Sequence, residues 1–336
     1  MSMDESAVSG TRRRERQAIA ESLLDAPPPV DDLRGTVLST LDGEVVHASR
    51  SRPVVQWRLS VNGDGPARTV VVIGKGFRKG GGEQAWQLLR RLRVAGFDDP
   101  AFSVPQPYGF DPARQLLAQE AAPPRTLHDG LIGDPATAVA DVRRVAQWLA
   151  RLHDIGEIGL PPLPTNFEQE KLLSYAEGLA GAVPSHEARV RALVTRTTDA
   201  LAHVAGPCVT THGDFQPKNI HLDDQRVVVI DFDRAAQAPA ARDVGHFIGQ
   251  SLTMAASRHG AIDAAASWVD AFMSAYREAG GGASVEADVP AYVARTFSEV
   301  LFYRLVVRPV ADFSFVPAWL EEWEFALEQA EAVVSS

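Results

Sequence analysis

The change of texture at Ala121-Ala122-Pro123-Pro124 constrains this chain more than any other feature. Before it, short β-rich runs alternate with Gly- and Pro-marked breaks, and after it amphipathic helical spacing dominates. Three strand-like stretches, Gly43 to Ser49, Pro53 to Val61 and Arg68 to Gly76, are separated by Arg50-Ser51-Arg52 and by Asn62 to Pro66. Past Gly80-Gly81-Gly82, Trp86, Leu89 and Leu92 share one side of a helix over Glu83 to Arg93, and Tyr108 to Phe110 and Leu116 to Gln119 supply two further strands. A small sheet packed by one helix results.

The second part reads as helices over Asp141 to His153, Phe167 to Leu179, His186 to His203, Asp263 to Ala279, Val289 to Val306 and Ala318 to Val334. A helix over Arg12 to Leu24, ended by Pro27-Pro28-Pro29, looks like an appendage. The expected division is a tail and helix over 1–30, a nucleotide-binding lobe over 31–122, and a catalytic and acceptor-binding lobe over 123–336.

Composition excludes several function classes. A net charge of -10 argues against nucleic-acid binding, which needs a basic face. No apolar stretch is long enough to span a bilayer and Met1 to Gly10 is polar, so the expectation is a cytoplasmic protein without a membrane partner. The single cysteine, Cys208, rules out an intrachain disulfide framework and reads as a small core hydrophobe.

The chemistry lies in Thr211-His212-Gly213-Asp214-Phe215-Gln216-Pro217-Lys218-Asn219, followed by two short apolar runs, Ile220 to Leu222 and Val227 to Ile230, around the polar turn Asp223 to Arg226. With the turn centred near Asp224 and Gln225, antiparallel pairing sets Asn219 at one strand's start and Asp231 at the other's end. An amide carbonyl beside a carboxylate suits Mg²⁺, a hard cation that keeps positions for water and phosphate oxygens. Asp214 stands five residues before Asn219, where a carboxylate can face an incoming hydroxyl while metal neutralises phosphate charge.

This pattern, His-Gly-Asp-x4-Asn followed by a strand ending Ile-Asp-Phe-Asp, resembles the aminoglycoside phosphotransferase family, relatives of the protein kinases. The resemblance implies a bilobal, kinase-like α+β fold with a small antiparallel-sheet N-lobe and a mostly helical C-lobe. It implies ATP and Mg²⁺ as cofactors and a small-molecule acceptor as partner, with Asp214 the catalytic base and Asn219 and Asp231 the metal ligands. His212 then braces the loop, Asp243 in Arg242-Asp243-Val244-Gly245 ties the loop to the following helix, and His153 packs in the core. Lys218 is a phosphate contact or a surface lysine, and Asp233 a second metal contact or a turn cap.

In such a lobe a lysine on the third strand holds the phosphates and a helix glutamate holds the lysine. Lys75, at the end of Val70 to Gly74, and Glu83 are the assignments, with Lys79 the alternative to Lys75. No Gly-x-Gly-x-x-Gly joins the first two strands, and Ser49 and Arg52 are the candidate phosphate contacts in its place. Among acceptor-side carboxylates, Asp270, Glu299, Asp312, Glu321, Glu322 and Glu324 suit a cationic aminoglycoside, whereas their scatter along helices favours a smaller hydroxylated metabolite. The competing reading is a nucleotide-binding pseudokinase, which the intact Asp214, Asn219 and Asp231 disfavour.

Overall fold

A computed structural model describes residues 2–63 and 66–334, so Met1 and the Asp64-Gly65 tip of the expected 62–66 turn lie outside the described residues. The chain divides into two compact units, one running to Pro123 and including Val228–Ile230, the other holding the remainder from Pro124.

The first unit begins with α1 (Ser2–Glu21) and continues with β1 (Thr36–His47), β2 (Val54–Asn62), β3 (Arg68–Gly76), α2 (Gly82–Leu92), β4 (Phe102–Ser103), β5 (Pro107–Asp111) and β6 (Leu116–Glu120). Five of these strands form an antiparallel sheet in the order β1-β2-β3-β6-β5. Alternation builds its core: Val55, Trp57, Leu59 and Val61 of β2 are buried with Val70 and Val72 of β3, since every second residue faces the same side. Gly74 makes room for the Trp57 ring, because a Cβ there would lie 2.3 Å from Trp57 Cζ3. Helix α2 packs on β5 and β6, with Trp86 stacked on Phe110 at 6.3 Å.

β1 starts seven residues ahead of the expected Gly43. It is an edge strand, mostly exposed and interrupted by register shifts, so its sequence carries no regular alternation. Helix α1 stops at Glu21, three residues before the expected Leu24, and Leu23 turns down into the sheet core.

The second unit contains β7 (Arg125–Thr126), α3 (Leu127–Gly133), α4 (Pro135–Asp154), α5 (Phe167–Ala182), α6 (Glu187–Ala202), β8 (Cys208–Thr211), β9 (Ile220–Leu222), β10 (Val227–Val229, its last two residues belonging to the first unit), β11 (Ala236–Pro239), α7 (Ala241–His259), α8 (Ala266–Glu278), α9 (Ala283–Phe302) and α10 (Val316–Val334). α4 begins six residues before the expected Asp141: Asp134 caps it, accepting from the backbone N–H of Ala136 at 3.1 Å, and Pro135 fits its first turn. Cys208, expected in the core, is exposed at the start of β8. No helix among the described residues is long and apolar enough to cross a membrane.

α7 is absent from the expected helices because Ala241 to Gly249 are all buried, which removes the one-sided apolar spacing that marks a surface helix. It packs closely on α9 through two glycines. A Cβ on Gly245 would fall 2.5 Å from Tyr292 Cβ and 2.9 Å from the Val289 carbonyl oxygen, and one on Gly249 2.7 Å from Thr296 Cβ.

Gly245→Ala therefore sets a propensity gain of up to about 1 kcal/mol against an overpacking cost of about 1–3 kcal/mol. The clash involves backbone and Cβ atoms that cannot swing away, so the variant should be less stable, read as a lower denaturation midpoint.

Candidate active site

β8 pairs with β11, Thr211 opposite Ala236, and releases the chain into the His212 to Gln216 loop. Gly213 adopts φ +80°, and a Cβ there would lie 2.1 Å from the Arg234 carbonyl oxygen. No other residue fits that bend. The loop is hung on Asp243 in the first turn of α7, whose carboxylate accepts the backbone N–H of His212 at 2.6 Å and of Gly213 at 2.7 Å.

Asp243 is fully buried. Burial pushes its carboxyl up, but the His153 hydrogen bond and the surrounding positive charge hold it below its ordinary value. His153 donates to Asp243 from Nε2 at 3.3 Å, which leaves Nδ1 to accept the Tyr276 hydroxyl at 2.7 Å. His153 is thus a packed, oriented histidine. His212, also buried, accepts the Asp214 N–H on Nδ1 at 3.2 Å and braces the loop.

The Asp214 carboxylate accepts from Gln216 Nε2 at 3.1 Å and His246 Nε2 at 3.1 Å on one oxygen, and from Asn219 Nδ2 at 3.2 Å on the other. Arg295 can only donate, so its 3.3 Å contact makes His246 Nδ1 an acceptor and puts the ring proton on Nε2, aimed at Asp214. Burial raises the Asp214 carboxyl, yet the His246 bond and the Arg234 charge outweigh it and hold the group well below the usual carboxylate range.

A single turn, Pro217–Asn219, carries Asn219 back to the Asp214 carbonyl, to which its Nδ2 donates at 2.9 Å. The amide nitrogen is committed, and Oδ1 takes no hydrogen bond among the described residues. The following turn closes as the sequence suggests, the Asp223 N–H donating to the Arg226 carbonyl at 3.1 Å around Asp224 and Gln225. Asp231 is exposed with φ +71°, a left-handed bend rare outside glycine and worth attention as local strain. Among the described residues no group of three or more His, Cys, Asp or Glu side chains could hold a metal by itself. The donors offered here, an amide oxygen and one carboxylate, fit a hard cation completed by phosphate oxygens and water.

A buried ionic lattice that sequence reasoning missed supports the loop. Glu168 of α5 accepts from Arg242 Nε and Arg295 Nε, both at 2.9 Å. Arg295 Nη1 then reaches Glu299 at 2.5 Å, and Glu299 also receives Lys171 at 2.7 Å and Arg234 at 3.0 Å. Arg242 donates onward to the Arg234 carbonyl at 3.3 Å, over the Gly213 bend. The members come from α5, α7, α9 and a loop, and only their shared burial links them.

Asp214 and Glu299 line a cavity of about 610 Å³ formed wholly within the second unit. Of the six acceptor-side carboxylates expected, Glu299 alone lines it. Glu324 pairs with Arg189 and Arg196, Asp312 accepts from Ser314, and Asp270, Glu321 and Glu322 lie off its walls. Lys218 is on the wall and exposed.

The first unit holds the four other candidates. Lys75 ends β3 with its Nζ 5.4 Å from the Phe77 ring centroid, and the Arg52 guanidinium lies 4.5 Å from the same centroid, so two cations gather about one aromatic face. The Ser49 hydroxyl accepts the Arg52 N–H at 3.2 Å and shapes the loop. Glu83 is exposed in the first turn of α2 and forms no ion pair with Lys75, while Lys79 sits in a turn, exposed.

Comparison with known proteins agrees with this geometry. The fold is that of the small-molecule kinases: an amicoumacin kinase solved with AMP-PNP, Ca²⁺ and Ami aligns at TM-score 0.60 and 14% identity over 98% of this chain and 96% of that one. A spectinomycin phosphotransferase solved with ADP and spectinomycin aligns at 0.56 and 12% over 88% and 93%, and a glucosamine kinase at 0.53 and 18% over 92% and 98%. No curated protein sequence matches the chain significantly. Residues 64–287 match the model of the phosphotransferase enzyme family, and the chain belongs to that family.

Glu168→Gln should destabilise the fold by about 3–5 kcal/mol, because it leaves two buried guanidinium groups short of their counter-charge. Burial raises the Glu168 carboxyl, but Arg295 and Arg242 hold it at about 2 against an ordinary 4.5. A depressed carboxyl stabilises above its unfolded value, so this contribution is complete above about pH 4.5 and lost between there and about pH 2. Denaturation against pH should show a smaller acid-side loss in the variant than in the parent.

Proposed function

We propose that this chain is a kinase moving the γ-phosphoryl group of ATP to a hydroxyl of a small molecule. The observation that carries the reading is Asp214: an ionised carboxylate, oriented by three side-chain donors, on the wall of a cavity large enough for a small ligand. The matched family and the nucleotides bound in the similar structures support it.

The acceptor hydroxyl sits against Asp214, its oxygen forms a bond to the γ-phosphorus, and the bond from that phosphorus to the β,γ-bridging oxygen breaks, its electron pair leaving with ADP. The hydroxyl proton passes to Asp214. A carboxylate held so far below neutrality takes that proton late, so its first task is to orient the hydroxyl. Asn219 Oδ1 and Asp231 hold Mg²⁺, which when bound neutralises charge on the transferring phosphates. On the first unit, Lys75 and Arg52 hold phosphate oxygens, Glu83 steadies Lys75, and Ser49 sets the loop that carries Arg52. The first unit is thereby the nucleotide-binding lobe and the second the catalytic and acceptor-binding lobe.

Asp214→Asn should lower ADP release with an accepted substrate by about 10²–10⁴-fold while the thermal shift given by Mg-ATP persists. Wild-type turnover in that variant removes Asp214 from the chemistry.

A ligand at a hundredfold excess over its Kd stabilises by about 2.7 kcal/mol. Asp231→Ala should shrink the Mg-ATP shift. A shift of undiminished size means the cation is held elsewhere.

A further inference from the structure

The cavity beside Asp214 is electrically lopsided. On its inner wall the two carboxylates are matched: Glu299 by Arg295, Lys171 and Arg234, and Asp214 by Arg234 at 3.7 Å and His246. The rest of the lining carries Lys218, Arg258, Arg304 and Arg308, and none of these four forms an ion pair with a carboxylate among the described residues. Elsewhere arginines are commonly matched, as Arg143 is with Glu278, Arg277 with Glu286 and Arg196 with Glu331. In a chain of net charge -10, counter-charge is abundant. It is missing from this wall.

Two elements deliver the arginines. Arg258 stands in the last turn of α7. Arg304 and Arg308 come from Tyr303–Val307 and the residue after it, where α9 widens into a π turn, the Arg308 N–H reaching back to the Tyr303 carbonyl at 2.7 Å. Such widened turns concentrate at functional sites. Arg304 is held in place from three sides: Nη1 donates to Ser257 Oγ at 2.6 Å, and its guanidinium lies 4.8 Å from the Phe315 centroid and 5.2 Å from that of Trp319. Its Nε is buried with no hydrogen-bond partner. Burial, and then the charge of Arg258, push its guanidinium below the ordinary value.

A bland account is available for Arg258, since a cation near a helix C-terminus gains about 0.3–1 kcal/mol from the dipole. It does not reach Arg304, which is fixed against aromatic rings with a donor unsatisfied and a like charge nearby. Fixed arginine forks with no internal acceptor match a carboxylate or a phosphate group.

We propose that the acceptor is a hydroxylated anion, its carboxylate or phosphate seated on Arg258, Arg304 and Arg308 while its hydroxyl meets Asp214. This rests on the kinase reading above and deepens it. It also sets this pocket apart from one shaped for a polycation: beyond Asp214, Glu299 is the only carboxylate on its described wall, and that one is already saturated by cations.

Two series of matched compounds test the charge. Gluconate, glucitol and 1-amino-1-deoxyglucitol share a chain and differ in their terminal group. Glucose 6-phosphate, glucose and glucosamine repeat the comparison with phosphate, so the two series also separate a carboxylate site from a phosphate site. Binding to the full chain is measured by calorimetry, and ADP release from Mg-ATP in parallel.

The anionic member of at least one series should bind about tenfold or more tighter than its neutral analogue, with the ammonium compound weakest. The preference should fade in high salt and in the Arg258→Ala, Arg308→Ala double variant, whose exposed positions spare the core. Arg304→Lys, which keeps the charge and loses the fork, should weaken the same anion. Equal or tighter binding of the neutral or ammonium compounds, or an anion preference that survives the double variant, overturns the proposal. Anion-selective binding without ADP release would keep the charge assignment and remove the kinase reading. ADP release that favours the ammonium compounds would keep the kinase and remove the anion.

Discussion

A carboxylate with no access to water holds the candidate site together. Asp243 accepts two consecutive backbone N–H groups, from His212 and Gly213, and those bonds force the chain into the left-handed bend that aims Asp214 into the cavity. Each unmet group here would cost the desolvation of a buried donor or a buried charge. The arrangement also explains its neighbours: His153 exists to satisfy the remaining Asp243 capacity, Tyr276 to fix the His153 tautomer, and Gly245 to let α7 approach α9 closely enough to enclose them.

Around that anchor the second unit sorts its charges by depth. The interior lattice of Glu168, Arg242, Arg295 and Glu299 is saturated, with every carboxylate depressed by arginine neighbours. Such a lattice gains little net stability over well-packed apolar groups, yet it resists loss of any member. What it contributes here is position: Arg295 orients His246, and His246 orients Asp214. Toward the cavity mouth the balance lapses and cations stand without partners.

The sequence made the catalytic loop readable because its signal is local: six residues, Asp214 to Asn219, contain both functional side chains and the turn between them. The strands β2, β3, β5 and β6 were legible for the same reason, their period-two burial being written in consecutive residues. Legibility failed where burial is total or partners are remote. α7 has no polar face to mark it, and β1 has no buried one. Glu168 and Arg295 are 127 residues apart, with nothing local to tie them. Cys208 was misjudged because an apolar residue type was allowed to stand for a buried position, whereas a strand's first residue at a loop exit is free to face solvent.

The widened turn after α9 ties the chain's reading frame to the chemistry of the pocket. A π turn holds one residue more than the α-helical turn it replaces, and each residue of an α-helix advances about 100° around the axis. Loss of a single codon within Tyr303–Val307 would let the segment rewind as regular helix and carry Arg308 about a quarter-turn away from the cavity. The helix would survive such an indel with its hydrogen bonds intact. Its cationic wall would not, so lineages that differ by one residue here could differ in what they bind while folding alike.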